Sequence, residues 1–181
     1  GLLRTAIDMD DPVLSFEACL LWGMKEDIED GEFRIPFGVA RTVRQGTDVT
    51  IVAISSAVPQ AVLAAQILET EGISAEIIDP RTLVPLDSLA ILNSVARTGR
   101  LVIADPANRT CGAAAEISAI VSELAFDCLR APIIRVTTPD THIPFSPAIE
   151  KQLYPDSIKI AEAVRKVTSA RIGAGAPARM N

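Results

Sequence analysis

Three stretches of this chain hold side chains whose type and placing could do chemistry. His142 is its only histidine and lies in Thr138-Pro139-Asp140-Thr141-His142-Ile143-Pro144-Phe145-Ser146-Pro147. An imidazole at the carboxyl edge of a sheet could act as a base or touch a ligand. Three closely spaced prolines force an extended loop there, and no nucleophile is near in sequence, so a surface-loop histidine is expected. In Asp79-Pro80-Arg81-Thr82-Leu83-Val84-Pro85-Leu86-Asp87, Arg81 follows a strand and could bind an anion. Two carboxylates flank it closely, which favours Arg81 pairing with Asp79 or Asp87 and pinning a turn. The third stretch, Arg109-Thr110-Cys111-Gly112-Ala113-Ala114-Ala115-Glu116, opens a helix. A small-residue helix start beside a strand end can cradle an anion, and the same residues permit close packing of a helix or a subunit; both readings stand. Cys111 near that start could have a lowered pKa, but it has no histidine partner by motif.

Other chemistries have no foothold. There is no C-x-x-C pair, no G-x-x-x-x-G-K-S/T and no G-x-S-x-G, and the one Gly-x-Gly, at Gly173 to Gly175, does not follow a strand. One histidine gives no zinc spacing. The cysteines, Cys19, Cys111 and Cys128, are few and set among apolar residues, the usage of a reduced intracellular compartment. Catalytic and metal residues are therefore expected to be absent.

The elements that must position these residues follow from composition and periodicity. The chain has 181 residues, 49 % hydrophobic and only 4 % aromatic, so an aliphatic core is expected. A net charge of −6 argues against nucleic acid as a partner. No run of 18 or more apolar residues occurs, which argues against a helical membrane span. The chain opens on Gly1 without a signal-peptide pattern, as a fragment or processed product would. Pro12 to Phe16 reads as a short strand whose parent sheet is missing, followed by an acidic cluster at Glu26, Asp27, Glu29, Asp30 and Glu32. Residues 1–34 thus read as an extended connector with the remnant of a preceding domain.

From about residue 47 the pattern becomes regular. Val49 to Ile54 is a β-branched run suited to a central strand. Ser55 or Ser56 can cap a helix carrying Val58, Ala61, Val62, Ala65 and Leu68 on one face, ended by Gly72. Strands are expected at 73–79, 101–104 and 133–136. Asp87 can cap a helix burying Ile91, Leu92 and Val95. Gly112 to Leu129 reads as a long helix with Ile117, Ile120, Val121, Leu124 and Cys128 on one face. Asp156 can cap a last helix burying Ile160, Ala161, Val164 and Val167. This alternation predicts an α/β fold, a three-layer open, mostly parallel sheet with helices on both faces. The domain covers residues 35–168, and residues 169–181 are expected to be a flexible tail.

Several ordered strings resemble one family. Ile35-Pro36-Phe37-Gly38-Val39-Ala40 and Arg44 to Val52 look like the opening of a transketolase C-terminal domain. More narrowly they resemble the beta chain of the thiamine diphosphate-dependent decarboxylating component of 2-oxo acid dehydrogenases, whether for pyruvate, branched-chain substrates or acetoin. Glu71 to Asp79, Arg81-Thr82-Leu83 with Pro85-Leu86-Asp87, Arg109-Thr110-x-Gly112 with Ala115-Glu116-Ile117, and Arg135-Val136 through Pro147 are similar to it as well. Asp11-Pro12-Val13 and Phe16-Glu17 look like the last strand of the family's preceding domain. Where the family often has a glycine-containing turn after the first central strand, this chain has Ser55-Ser56-Ala57.

The resemblance implies an oxidoreductase in which thiamine diphosphate and magnesium are held between other domains, with neither bound by this chain alone. It implies as partners an alpha subunit, a second beta subunit and the acyltransferase core, in the bacterial cytoplasm or the mitochondrial matrix. Phe16, Leu20, Leu21 and Trp22 are then expected at an interface. The competing reading is a stand-alone, non-catalytic binding module of the same fold.

Overall fold

The computed structural model describes residues 1–28 and 30–170. Its centre is one sheet of β1 (Arg41–Arg44), β2 (Val49–Ala53), β3 (Ala75–Asp79), β4 (Leu101–Asn108) and β5 (Ile134–Thr138), ordered β1-β3-β2-β4-β5. β2 to β5 run parallel, and β1 closes one edge antiparallel to β3. Every residue of β2 is buried, as a β-branched run covered on both faces requires.

The helices fall on the two faces. α2 (Ala57–Glu69) and α6 (Ser157–Ser169) cover one, packing Ala57, Ala61, Ala64, Ala65 and Leu68 with Ile160, Ala161, Val164 and Val167 over Val49, Ile51 and Ile77. α3 (Ser88–Thr98) and α4 (Ala113–Leu124) cover the other, placing Ile91, Val95, Ile117 and Val121 over Val52, Ile78, Leu101 and Ile103. Each fully buried Leu, Ile or Val contributes roughly 1.5–3 kcal/mol. The expected three-layer α/β architecture is the one observed.

Local signals set the ends. Asp87 caps α3, its Oδ1 accepting the Ala90 amide at 3.1 Å, and Gly99 closes the helix at φ 72°, where a side chain would be strained. Asp156 caps α6 by accepting the Lys159 amide at 2.8 Å. Ser56 is the N-cap of α2 but makes no side-chain cap bond; the first amides go back to Ile54 and Ser55 carbonyls. Ser55 itself takes φ 53°, so a serine occupies the left-handed turn for which glycine is suited.

Other expectations need correction. Pro12 to Phe16 forms no strand, since no sheet edge lies beside it to supply a ladder. Residues 1–34 instead contain α1 (Leu2–Asp8) and a 3-10 turn at Cys19–Leu21. The Thr5 hydroxyl ties α1 to the Ile35 carbonyl at 2.8 Å, and an Arg34–Asp8 ion pair holds the Asp8 carboxyl below its usual range. The long helix ends at Leu124, before a 3-10 turn at Phe126–Cys128, and Leu124 faces solvent rather than the core. β4 runs four residues beyond Ala104, and α5 (Pro147–Glu150) and β1 are additional elements. Most of the tail expected beyond residue 168 lies outside the described residues; Ser169 still belongs to α6.

Beneath α3 lies a buried polar layer. The Thr50 hydroxyl stands 2.6 Å from that of Ser94 and 2.8 Å from that of Thr98. Ser94 also donates to Glu76 Oε2, which accepts from Arg97 at 2.6 Å. Glu76 is 1 % exposed, and its Oε1 has no partner among the described residues.

Candidate functional site

The carboxyl edge of a parallel sheet is where α/β ligands usually bind, and the loops leaving β2, β3 and β4 there carry the stretches of interest. Each turns through one non-glycine residue of positive φ: Ser55, Arg81 at 60° and Cys111 at 59°.

The β4–α4 loop decides between anion binding and packing. Asp105, the fifth residue of β4, is 2 % exposed. Its Oδ1 accepts the Ala107 amide at 2.9 Å, and its Oδ2 accepts the Ala114 amide at 2.9 Å. The start of α4 is therefore already occupied by a carboxylate of the chain itself, which supplies the negative charge a helix N-terminus attracts. Gly112 fits because a Cβ there would lie 2.5 Å from the Asn108 carbonyl oxygen. The small residues of 109–116 serve close packing. Asp140 holds the same loop against the exit of β5, accepting the Thr110 amide at 3.0 Å and its hydroxyl at 2.6 Å. Those two bonds keep the Asp140 carboxyl below the ordinary value. Cys111 is exposed.

Arg81 pins its turn through the backbone rather than by an ion pair of its side chain. Its amide donates to Asp79 Oδ1 at 2.9 Å. Burial pushes the Asp79 carboxyl above its ordinary pKa, while the Arg81 amide and the Arg81 and Arg41 charges oppose that rise. Asp87 is taken up by two backbone amides, Ala90 and, at 2.9 Å, Ala40. Thr82 accepts the Gly38 amide at 3.0 Å. The segment thus clamps residues 38–40, the entry into β1.

His142 is exposed on the loop after β5. Beside it is a shallow concavity lined by Ile143, Pro144, Phe145, Ser146, Pro147 and Glu150, in which Glu150 is the sole carboxylate. Among the described residues no group of three or more His, Cys, Asp or Glu could hold a metal ion.

What the surface offers instead is uncovered apolar side chains. Phe16, Leu20 and Trp22 are 89 %, 77 % and 70 % exposed, and Leu21 is half-buried. Leu14, Met24 and Ile28 are exposed beside them. Glu26 ties this arm to β1 through Arg41 at 2.8 Å, which lowers the Glu26 pKa. Among the described residues no helix is long and apolar enough to cross a membrane.

Comparison with known proteins gives the chain a family. Residues 38–160 match the family model described as "Transketolase, C-terminal domain". The beta subunit of acetoin:2,6-dichlorophenolindophenol oxidoreductase from Cupriavidus necator is 46 % identical over 166 residues, 92 % of this chain and 49 % of its own length. The Bacillus subtilis beta subunit of the same name is 45 % identical over 160 residues, 88 % of this chain and 47 % of its own. The mitochondrial pyruvate dehydrogenase E1 component subunit beta of Dictyostelium discoideum is 41 % identical over 172 residues, 93 % of this chain and 48 % of its own. This chain therefore spans about half the length of these relatives. A solved split-gene transketolase, an inactive beta4 tetramer, superposes with a TM-score of 0.68 at 26 % identity, covering 81 % of this chain and 46 % of that one. With the family model matching well over half of the chain, the protein belongs to the transketolase C-terminal domain family.

Proposed function

We propose that this chain is the C-terminal assembly domain of the beta subunit of a 2-oxo acid dehydrogenase, an oxidoreductase that decarboxylates a 2-oxo acid such as pyruvate when intact. The observation that carries this is the identity of 41–46 % to beta subunits of that kind across about nine-tenths of the chain. In this reading residues 35–168 are the assembly domain, residues 1–34 lead in from a preceding domain, and residues 169–181 are a tail. Thiamine diphosphate and magnesium are held by other domains of the enzyme, and this chain contributes no catalytic residue. Its partners are the alpha subunit, a second beta subunit and the acyltransferase core, met in part through Phe16, Leu20, Leu21 and Trp22. The setting is bacterial cytoplasm or mitochondrial matrix; a mitochondrial relative supports the latter.

A fusion tests the reading. The first half of the Cupriavidus necator beta subunit is joined to this chain and produced with the matching alpha subunit. An assembled enzyme that reduces 2,6-dichlorophenolindophenol with acetoin or pyruvate is expected. A folded fusion that neither assembles nor turns over would overturn the proposal.

A further inference from the structure

Half of what α3 buries is polar. Against the sheet it sets Ile91 and Val95 together with Ser94 and Thr98, which are 0 % and 1 % exposed. Leu89 meanwhile stays 70 % exposed, Ala96 is exposed and Leu92 is only part-buried. Hydrocarbon alone would seat the helix otherwise. At about 100° per residue, Ile91, Val95, Leu92, Ala96 and Leu89 form one continuous apolar stripe, whose centre lies about a quarter turn from the face that is buried. Hydrogen bonds account for the difference. The Ser94 proton is spent on Glu76 Oε2, so Thr50 donates to Ser94, and Thr98 then donates to Thr50. Arg97 adds a second donor to the same Glu76 oxygen. Ser94, Arg97 and Thr98 stand at i, i+3 and i+4, so one rotation of the helix presents all three.

We infer that this layer is a rotational lock, which holds α3 away from a second packing of the same helix with Leu89 inside. Turning α3 onto its apolar stripe would bury one more leucine. It would also leave the Glu76 carboxylate, 1 % exposed, without either donor, and Thr50 without either hydroxyl partner. An uncompensated buried charge costs more than one leucine side chain returns, so the observed face wins. The lock is directional where the hydrocarbons are not: the stripe offers no polar side chain that could take the place of Ser94 or Thr98. With the layer replaced by apolar side chains of like size, only the hydrocarbons choose, and α3 turns onto the stripe.

The test is a stability cycle on Leu89 in the whole chain, read as thermal midpoints. In the native background Leu89→Ala is a surface change and is expected to move the midpoint by less than about 2 °C. In the fourfold variant Thr50→Val, Glu76→Met, Ser94→Ala and Thr98→Val, Leu89→Ala is expected to lower the midpoint by at least about 4 °C, as truncation of a buried leucine does. Nuclear Overhauser contacts from the Leu89 methyls to the cluster of Val52, Ile78 and Ile103 should appear in that variant and be missing from wild type. A comparable loss already in the native background would mean that Leu89 is packed there, and overturns the lock. A folded fourfold variant indifferent to Leu89→Ala would show that shape alone sets the helix, and overturns it too. The milder pair Ser94→Ala with Thr98→Val guards against a clash at position 76, and the cycle is run in it where the fourfold variant does not fold. If neither variant folds, α3 has no second packing and the inference fails.

Discussion

The Asp105 carboxylate accepts the amide of Ala114 at 2.9 Å from a position that is almost wholly buried, so a side chain within β4 caps the helix that follows it. Asp105→Ala removes both the cap and the Ala107 bond. A loss of about 1–3 kcal/mol is expected in urea unfolding. A change below about 0.5 kcal/mol would mean that the cap carries no stability.

The polar layer should behave as a unit. Thr50→Val keeps the shape of the side chain and strips the partner from two buried hydroxyls, for an expected cost of about 1–3 kcal/mol. In a double-mutant cycle with Ser94→Ala the two costs should fail to add by at least about 0.5 kcal/mol. Strict additivity would refute the coupling.

How much of this was readable from sequence depends on distance along the chain. The caps at Asp87 and Asp156 and the apolar faces of α2 and α6 are local signals, and the structure has them as read. β1 is only four residues long with arginine at both ends, and it exists because β3 offers an edge, which no local pattern announces. Pro12 to Phe16 is the converse, a strand-like string with no edge to join. Thr50, Glu76, Ser94 and Thr98 read as ordinary polar positions because their contacts span 18 to 48 residues. The anion reading of residues 109–116 stayed open for a similar reason: nothing in the string Leu101 to Asp105 says that its last carboxylate turns back onto α4.

Ser55 gives a prediction of opposite sign. Its φ of 53° costs an L-residue roughly 1–2 kcal/mol, and its side chain makes no bond that offsets this. Ser55→Gly relieves that strain and loosens the unfolded chain, for an expected net gain of about 0.5–1 kcal/mol. A thermal melt should rise by about 1–4 °C. A lower midpoint would show that the turn is not strained.

Asp79 should imprint on the pH dependence of stability. Its carboxyl is pushed above its ordinary value by burial, so the folded state favours the protonated form. That contribution is present in full below the unfolded value of 3.8 and is lost as pH rises through the folded one. Asp79→Asn, which stays neutral, should therefore gain on wild type between about pH 3.5 and pH 7. Urea titrations of both proteins at the two pH values measure this, and an advantage that shrinks toward pH 7 contradicts it.

Cofactor binding is the sharpest check on the proposal that this chain contributes no catalytic residue. Ligand at about 100 times its dissociation constant stabilises a fold by roughly 2.7 kcal/mol. For a domain of this size that is a rise of about 5–11 °C. With thiamine diphosphate and magnesium present, no shift above about 1 °C is expected. A saturable shift of several degrees would place a site here.

The sheet order has a consequence for how the chain is made. β2 finishes between β3 and β4, and both neighbours lie downstream of it. On a ribosome adding about 5–20 residues per second, Val49-Thr50-Ile51-Val52-Ala53 emerges and waits on the order of seconds before its first partner exists. Uncharged and rich in β-branched residues, it is during that interval the most adhesive piece of the nascent chain. Asp48 and Arg44 just ahead of it are the charges that hold other strands off. A translational pause after β2 has left the ribosome but before β3 has done so lengthens that exposure, whereas one after both have emerged finds β2 already paired with β3.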